Sequence, residues 1–128
     1  MTDKDGPGGD GPGRLTTHVL DTANGRPAAG VRIEVFRLDG PDRDHLRTVE
    51  TNADGRCDGP LLQGADFVPG VYELVFHAAD YFREVGAALP APAFLDDVPV
   101  RFGIAEAGQH YHVPLLISPY GYSTYRGS

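Results

Sequence analysis

His110-Tyr111-His112-Val113-Pro114-Leu115-Leu116-Ile117-Ser118 alternates as an extended strand does. Successive side chains of a strand point to opposite faces. Tyr111, Val113, Leu115 and Ile117 therefore share one wholly apolar face, suited to a core. His110, His112, Pro114, Leu116 and Ser118 share the other. That second face is too apolar for full solvation, so something is expected to cover it, most simply another subunit. The reading places His112 at an interface.

Working outward, the same pattern recurs in short pieces. Leu15–Asp21 is apolar and β-branched, and Asn24-Gly25 marks a turn after it. Val31, Ile33 and Val35 alternate with Arg32 and Glu34. His45–Thr51 is a weaker strand between Asp/Gly-rich turns, and Leu61-Leu62 a short one. Val71–His77 puts Tyr72, Leu74 and Phe76 on one face and Val71, Glu73 and Val75 on the other. Asp80 is positioned to cap a short helix through Val85, stopped by Gly86. Val98–Ile104, with Pro99 near its start, and Tyr122–Arg126 complete the set. Seven or eight short strands with regular turns and one helix indicate an all-β sandwich.

A chain of 128 residues suits one domain. At that size roughly two-thirds of the unfolded surface is buried, so no disulfide or metal is required for folding. Residues 1–13 hold five glycines, two prolines and three aspartates. No apolar burial offsets the entropy of ordering them, so a disordered tail is expected there, with the folded domain over 14–128. The single cysteine, Cys57, excludes an internal disulfide framework and fits a reducing compartment. The first residues lack the apolar core of a signal peptide, and no stretch reaches the roughly 20 apolar residues of a membrane span. A formal net charge of -7 without a basic stripe argues against nucleic acid as partner.

Four constellations could carry chemistry. His110 and His112 lie on one side of a strand, which suits metal binding, acid–base work or plain interface packing; a third ligand could come from His18. No carboxylate to orient them is evident. His18 shares a face with Thr16 and Leu20, opposite Thr17 and Val19. If the latter face packs on the core, His18 looks the way His112 does; otherwise it is a hydrogen-bonded surface histidine. Arg56 follows the Asp54-Gly55 turn, where it is either an exposed cation or a fork for an imide or oxyanion. The ending Ser123-Thr124-Tyr125-Arg126-Gly127-Ser128 runs straight on from a strand. His45 and His77 fit no constellation and read as structural.

Three of these segments together resemble the transthyretin-like 5-hydroxyisourate hydrolase family. They are Leu15–Asp21 with Asn24-Gly25-Arg26-Pro27-Ala28, then Thr51–Arg56, and then His110–Ser128 with its Tyr-Arg-Gly-Ser ending. The Asp80-Tyr81-Phe82 helix start matches as well. The resemblance covers about residues 14–128. It implies two four-stranded antiparallel sheets with one short helix. It also implies a homotetramer, a dimer of dimers around a channel, with active sites at subunit interfaces. By resemblance His18, Arg56, His112 and Ser128 are catalytic, and Tyr125, Arg126 and Gly127 bind substrate. The implied reaction is hydrolytic ring opening of 5-hydroxyisourate to 2-oxo-4-hydroxy-4-carboxy-5-ureidoimidazoline in urate breakdown. Neither metal nor cofactor is implied, and the cytoplasm is the expected location. The competing readings are a hormone carrier, which shares Ser118–Thr124, and a metal-binding domain built on His110 and His112.

Overall fold

The computed structural model describes residues 13–127; the expected tail over 1–12 and Ser128 lie outside the described residues. Gly13, placed with the tail by composition, is already buried.

Eleven strands are formed among the described residues: β1 (Arg14–Thr16), β2 (Val19–Asp21), β3 (Arg26–Pro27), β4 (Arg32–Asp39), β5 (Asp42–Glu50), β6 (Leu62–Gln63), β7 (Gly70–Phe76), β8 (Val98–Ile104), β9 (His110–His112), β10 (Leu115–Ser118) and β11 (Gly121–Thr124). One helix, α1 (Ala78–Glu84), follows β7, and a 3-10 turn covers Gly64–Asp66. The largest sheet, ordered β5-β4-β7-β8, is antiparallel throughout. Its inward residues Ile33, Val35, Tyr72, Leu74, Phe76 and Val98 are all but removed from solvent. They join Leu15, Val19, Tyr111, Val113, Leu115 and Ile117 in one apolar cluster, so the two layers share a core. Each fully buried aliphatic side chain contributes about 1.5–3 kcal/mol.

The second layer departs from the expected regular antiparallel sheet. It consists of β6-β1-β9 and β11-β10-β2-β3, and both β1–β9 and β2–β10 run parallel. Parallel neighbours need a long return connection, and nearly the whole domain supplies it here. The layer divides in two at Thr17-His18 and Val113-Pro114. Pro114 has no N–H to give a ladder. The buried Thr17 hydroxyl donates to the Val113 carbonyl at 2.7 Å, and the N–H of Val19 turns away to the Gly55 carbonyl at 2.8 Å. The residues 110–118, expected as one strand, are thus two, although Val113 N–H to Thr16 O and Leu115 N–H to His18 O still tie the two segments together across the gap, each at 2.9 Å.

The helix also begins earlier than expected. His77 precedes α1 and Asp80 lies inside its first turn, so Asp80 is not the cap. Gly86 ends it as expected, at φ +94°, a conformation that favours glycine. No helix among the described residues is long and apolar enough to cross a membrane.

Candidate functional site

The β1/β2 break and the β9/β10 break bring three histidines and an arginine to one region. Thr17 and Val19 are buried, so alternation turns Thr16 and His18 outward. Tyr111 and Val113 are buried likewise, which turns His110 and His112 to the same side. Parallel pairing sets Thr16 directly opposite His112. A cleft of about 470 Å³ opens there, lined by Arg14, Thr16, Arg56, Cys57, His110 and His112 among others.

Arg56 is delivered by a rigid turn. Buried Thr51 accepts from the Val31 N–H at 2.8 Å and donates to the Ala28 carbonyl at 2.7 Å, which anchors the turn's base. The Asn52 side-chain oxygen accepts the N–H groups of Asp54 and Arg56 at 2.9 and 3.2 Å. Gly55 sits between them at φ +75°, with Val19 O against the spot where a side chain would begin. An antiparallel bridge then pairs Arg56 with His18. His18 Nε2 lies 3.0 Å from the Asp54 carbonyl. A carbonyl only accepts, so this nitrogen carries the proton and Nδ1 is the basic one in the neutral ring.

His112 is held differently. Its Nδ1 lies 2.8 Å from Thr16 Oγ1, and the same oxygen lies 2.7 Å from His110 Nε2. Across the backbone, Gly127 N–H donates to His112 O at 2.7 Å and His112 N–H to Gly127 O at 3.4 Å. Only glycine fits this approach: a Cβ at Gly127 would stand 2.9 Å from Cδ2 of the imidazole. Burial first, then the Arg56 cation, hold the His112 imidazole below its ordinary pKa, with His110 and His18 adding to the effect. His18 is lowered by burial and then by Arg56, against a smaller opposing pull from Asp54. His110 is lowered by burial, then by Arg14 and Arg126. Three imidazoles kept neutral near neutral pH, beside a permanent guanidinium, are equipped for proton abstraction and for stabilising an oxyanion.

The C-terminal residues divide. Gly127 packs on His112, as described. Arg126 stacks on Tyr111, with its guanidinium carbon 4.0 Å from the ring centroid, and donates to Gln109 Oε1 at 3.0 Å. Tyr125 is 59% exposed and lines a separate hollow with Val100, Phe102 and Thr124, so within one chain it does not reach the histidine cleft. Thr16 and Arg14 are site residues that sequence reading passed over; the alternation already placed Thr16 on the His18 face. Among the described residues no group of three or more His, Cys, Asp or Glu side chains is arranged to hold a metal. His45 and His77 stay outside the cleft: His45 packs edge-on against Phe36, and buried His77 sits between Glu34 and Asp97 at 2.7 and 2.9 Å.

The sequence matches the model of the HIUase/Transthyretin family over residues 15–127. The chain belongs to that family. Within it, the chain is 70% identical to 5-hydroxyisourate hydrolase 2 of Rhizobium meliloti over 116 residues, covering 91% of this chain and 97% of that one. A crystal structure of (S)-allantoin synthase superposes with a TM-score of 0.87 at 47% identity, covering 94% of this chain. This chain spans only 46% of the length of that one. Sea bream transthyretin in complex with thyroxine superposes with a TM-score of 0.80 at 28% identity, covering 89% of this chain and 94% of that one.

Proposed function

We propose that this member of the HIUase/Transthyretin family is a cyclic ureide hydrolase that opens 5-hydroxyisourate to 2-oxo-4-hydroxy-4-carboxy-5-ureidoimidazoline. The observation that carries the reading is the 70% identity to a 5-hydroxyisourate hydrolase along almost its full length. The carrier reading has less behind it, since sea bream transthyretin is 28% identical.

The cleft supplies the chemistry. Hydrolysis needs a base for the attacking water, a donor for the departing nitrogen and a positive group for the carbonyl oxygen as it gains charge. His18 and His112 are the neutral imidazoles for the first two tasks. Arg56, bridged to His18, offers parallel N–H donors to the oxyanion. Gly127 lets the chain end lie against His112, and Tyr125, Arg126 and Ser128 act in substrate positioning and catalysis at the same interface. Since Tyr125 lines a different hollow of its own chain, a neighbouring subunit is its natural point of use.

The assembly we propose is a homotetramer, a dimer of dimers, working in the cytoplasm. Tyr120 and Tyr122 are exposed on and beside β11, and Phe94, which packs on Tyr120, is 69% exposed. Large exposed aromatics grouped in this way suit a subunit contact.

The test is the ultraviolet decay of 5-hydroxyisourate, generated from urate by urate oxidase, against a protein-free blank. Acceleration proportional to protein, and lost in His112→Ala, is the expected result. A folded protein that leaves the decay at the blank rate overturns the assignment.

A further inference from the structure

One hydroxyl lies between two imidazoles in the cleft. Thr16 Oγ1 is 2.7 Å from His110 Nε2 and 2.8 Å from His112 Nδ1. A threonine hydroxyl owns one proton and accepts through its lone pairs. It can donate to one ring only, so the other ring must donate to it. The two histidines therefore cannot choose their tautomers independently. Either His112 carries its proton on Nδ1, leaving Nε2 basic, or His110 carries its proton on Nε2 and His112 Nδ1 is the acceptor.

From this geometry we infer that Thr16 is a positioning residue that sets the tautomer of His112, and that it links His112 to His110 as a proton relay during ring opening. The inference rests on the hydrolase reading above. In the resting arrangement His112 Nδ1–H donates to Thr16 Oγ1, and the Thr16 O–H donates to His110 Nε2. His112 Nε2 has no hydrogen-bond partner among the described residues and is free to take a proton from water. As it does, the Nδ1 proton passes to Thr16 and the hydroxyl proton passes to His110 Nε2. His112 ends neutral with its proton on Nε2, Thr16 is again a hydroxyl, and His110 carries the positive charge. One proton has entered and one charge has moved a ring further from the reacting water. Return of the protons by the same path lets His112 protonate the departing nitrogen.

This separates the roles of the two candidate bases. His18 Nε2 faces the Asp54 carbonyl, which fixes the ring but cannot accept its proton. A proton taken at His18 Nδ1 would leave an imidazolium bridged to Arg56, with no side chain among the described residues hydrogen-bonded to the ring to pass the charge on. His112 has a hydrogen-bonded outlet in His110, where Arg14 and Arg126 disfavour lasting charge, so the proton is held there only in passing and returns. The relay assigns the water proton to His112 and leaves His18 to orient the water.

The variants are Thr16→Val, which keeps the branched shape on the strand without the hydroxyl, Thr16→Ser, which restores it, and His110→Gln. Two readouts are taken on the full-length protein. Long-range proton–nitrogen NMR of the imidazoles reports which nitrogen of His112 is protonated in the resting protein. Steady-state decay of 5-hydroxyisourate gives kcat and KM separately. The expected result is a resting His112 protonated on Nδ1 in wild type. Thr16→Val should shift that population toward Nε2 and lower kcat on the order of 10–100-fold with KM within about threefold. Thr16→Ser should return both, and His110→Gln should lower kcat in the same direction. A His112 tautomer indifferent to Thr16→Val, or wild-type kcat in a folded Thr16→Val protein, overturns the inference. Failure of wild type itself to hydrolyse the ureide overturns the hydrolase reading and the relay with it, while the tautomer measurement still decides the positioning role of Thr16.

Discussion

Gly127→Ala adds one methyl group, 2.9 Å from Cδ2, 3.2 Å from Cβ and 3.4 Å from Cγ of His112. The nearest of these falls roughly 0.6 Å inside a comfortable carbon–carbon separation of about 3.5 Å. Two responses are open. The His112 ring can be forced aside, an overpacking cost of about 1–3 kcal/mol. Or the chain end can swing off β9, giving up the Gly127 N–H to His112 O bond at 2.7 Å and the weaker return bond at 3.4 Å. A net backbone hydrogen bond is worth about 1 kcal/mol, so release of the end is the cheaper path. Thermal stability should then fall by only a few degrees. Activity should fall far more, on the order of 10–100-fold in kcat/KM, because the chain end no longer lies against the imidazole. Differential scanning fluorimetry and the ureide decay assay, run on the same preparation, separate the two quantities. An alanine variant within twofold of wild type in kcat/KM would refute the claim that the Gly127 contact positions the site.

Other expectations follow from the same geometry. Because burial and Arg56 hold His18 and His112 below the ordinary imidazole value, their neutral forms persist as pH falls, and the acid limb of kcat/KM should lie below about 6.5. Arg56→Met removes the cation, lets both values rise, and should move that limb upward as well as lower the plateau; a limb that stays put contradicts the electrostatic account. The unfolded chain takes up these protons before the folded one does, so stability contributed by the neutral imidazoles is present above the unfolded value and declines as pH drops below it. Gly55→Ala meets both a left-handed backbone and the Val19 carbonyl; a loss of about 2–4 kcal/mol in urea unfolding is expected, and less than 1 kcal/mol would show the turn to be pliant. His77→Ala strips hydrogen-bond partners from Glu34 and Asp97 and should cost about 1–3 kcal/mol while leaving kcat/KM within twofold; a large activity loss in the folded variant would tie that buried histidine to the cleft.

The strands that read clearly in the sequence are those with one face in the core. Val98–Ile104 alternates because its inner face lies in the core and its outer face meets solvent, whereas Val71–His77 reads as a strand through the apolar face of Tyr72, Leu74 and Phe76, with Glu73 and Val75 on its other face buried too. Asp42–Glu50 was harder to read: it is an edge strand, exposed along nearly its whole length, so its start among Asp42, Arg43 and Asp44 carries no alternation. Arg26–Pro27 is too short to leave a pattern. Facing followed from burial of the intervening residues: Tyr111 and Val113 turn His112 into the cleft, and Thr17 and Val19 turn His18 outward, where it pairs with Arg56 without itself lining the cleft. Thr16 escaped notice because a hydroxyl shows its role only when both of its partners are in view. His77 read as structural and is, buried away from the cleft; only its two carboxylate partners, from β4 and from the segment before β8, were out of reach of local spacing.

The parallel seam between β1–β2 and β9–β10 bears on how the protein comes into being. Thr16 and His112 lie 96 positions apart in the chain yet share one hydrogen bond. Contacts of such separation form slowly, since a long loop must close before they repay its entropy. A nascent chain leaving the ribosome N-terminus first holds His18 and Arg56 long before His112 and Gly127 exist. The β5-β4-β7-β8 sheet can pair while synthesis continues, but the cleft has no second wall until His110, His112 and Gly127 have been made. The cleft is therefore a late acquisition of folding, closed only when residues 110–127 join strands made some 96 positions earlier.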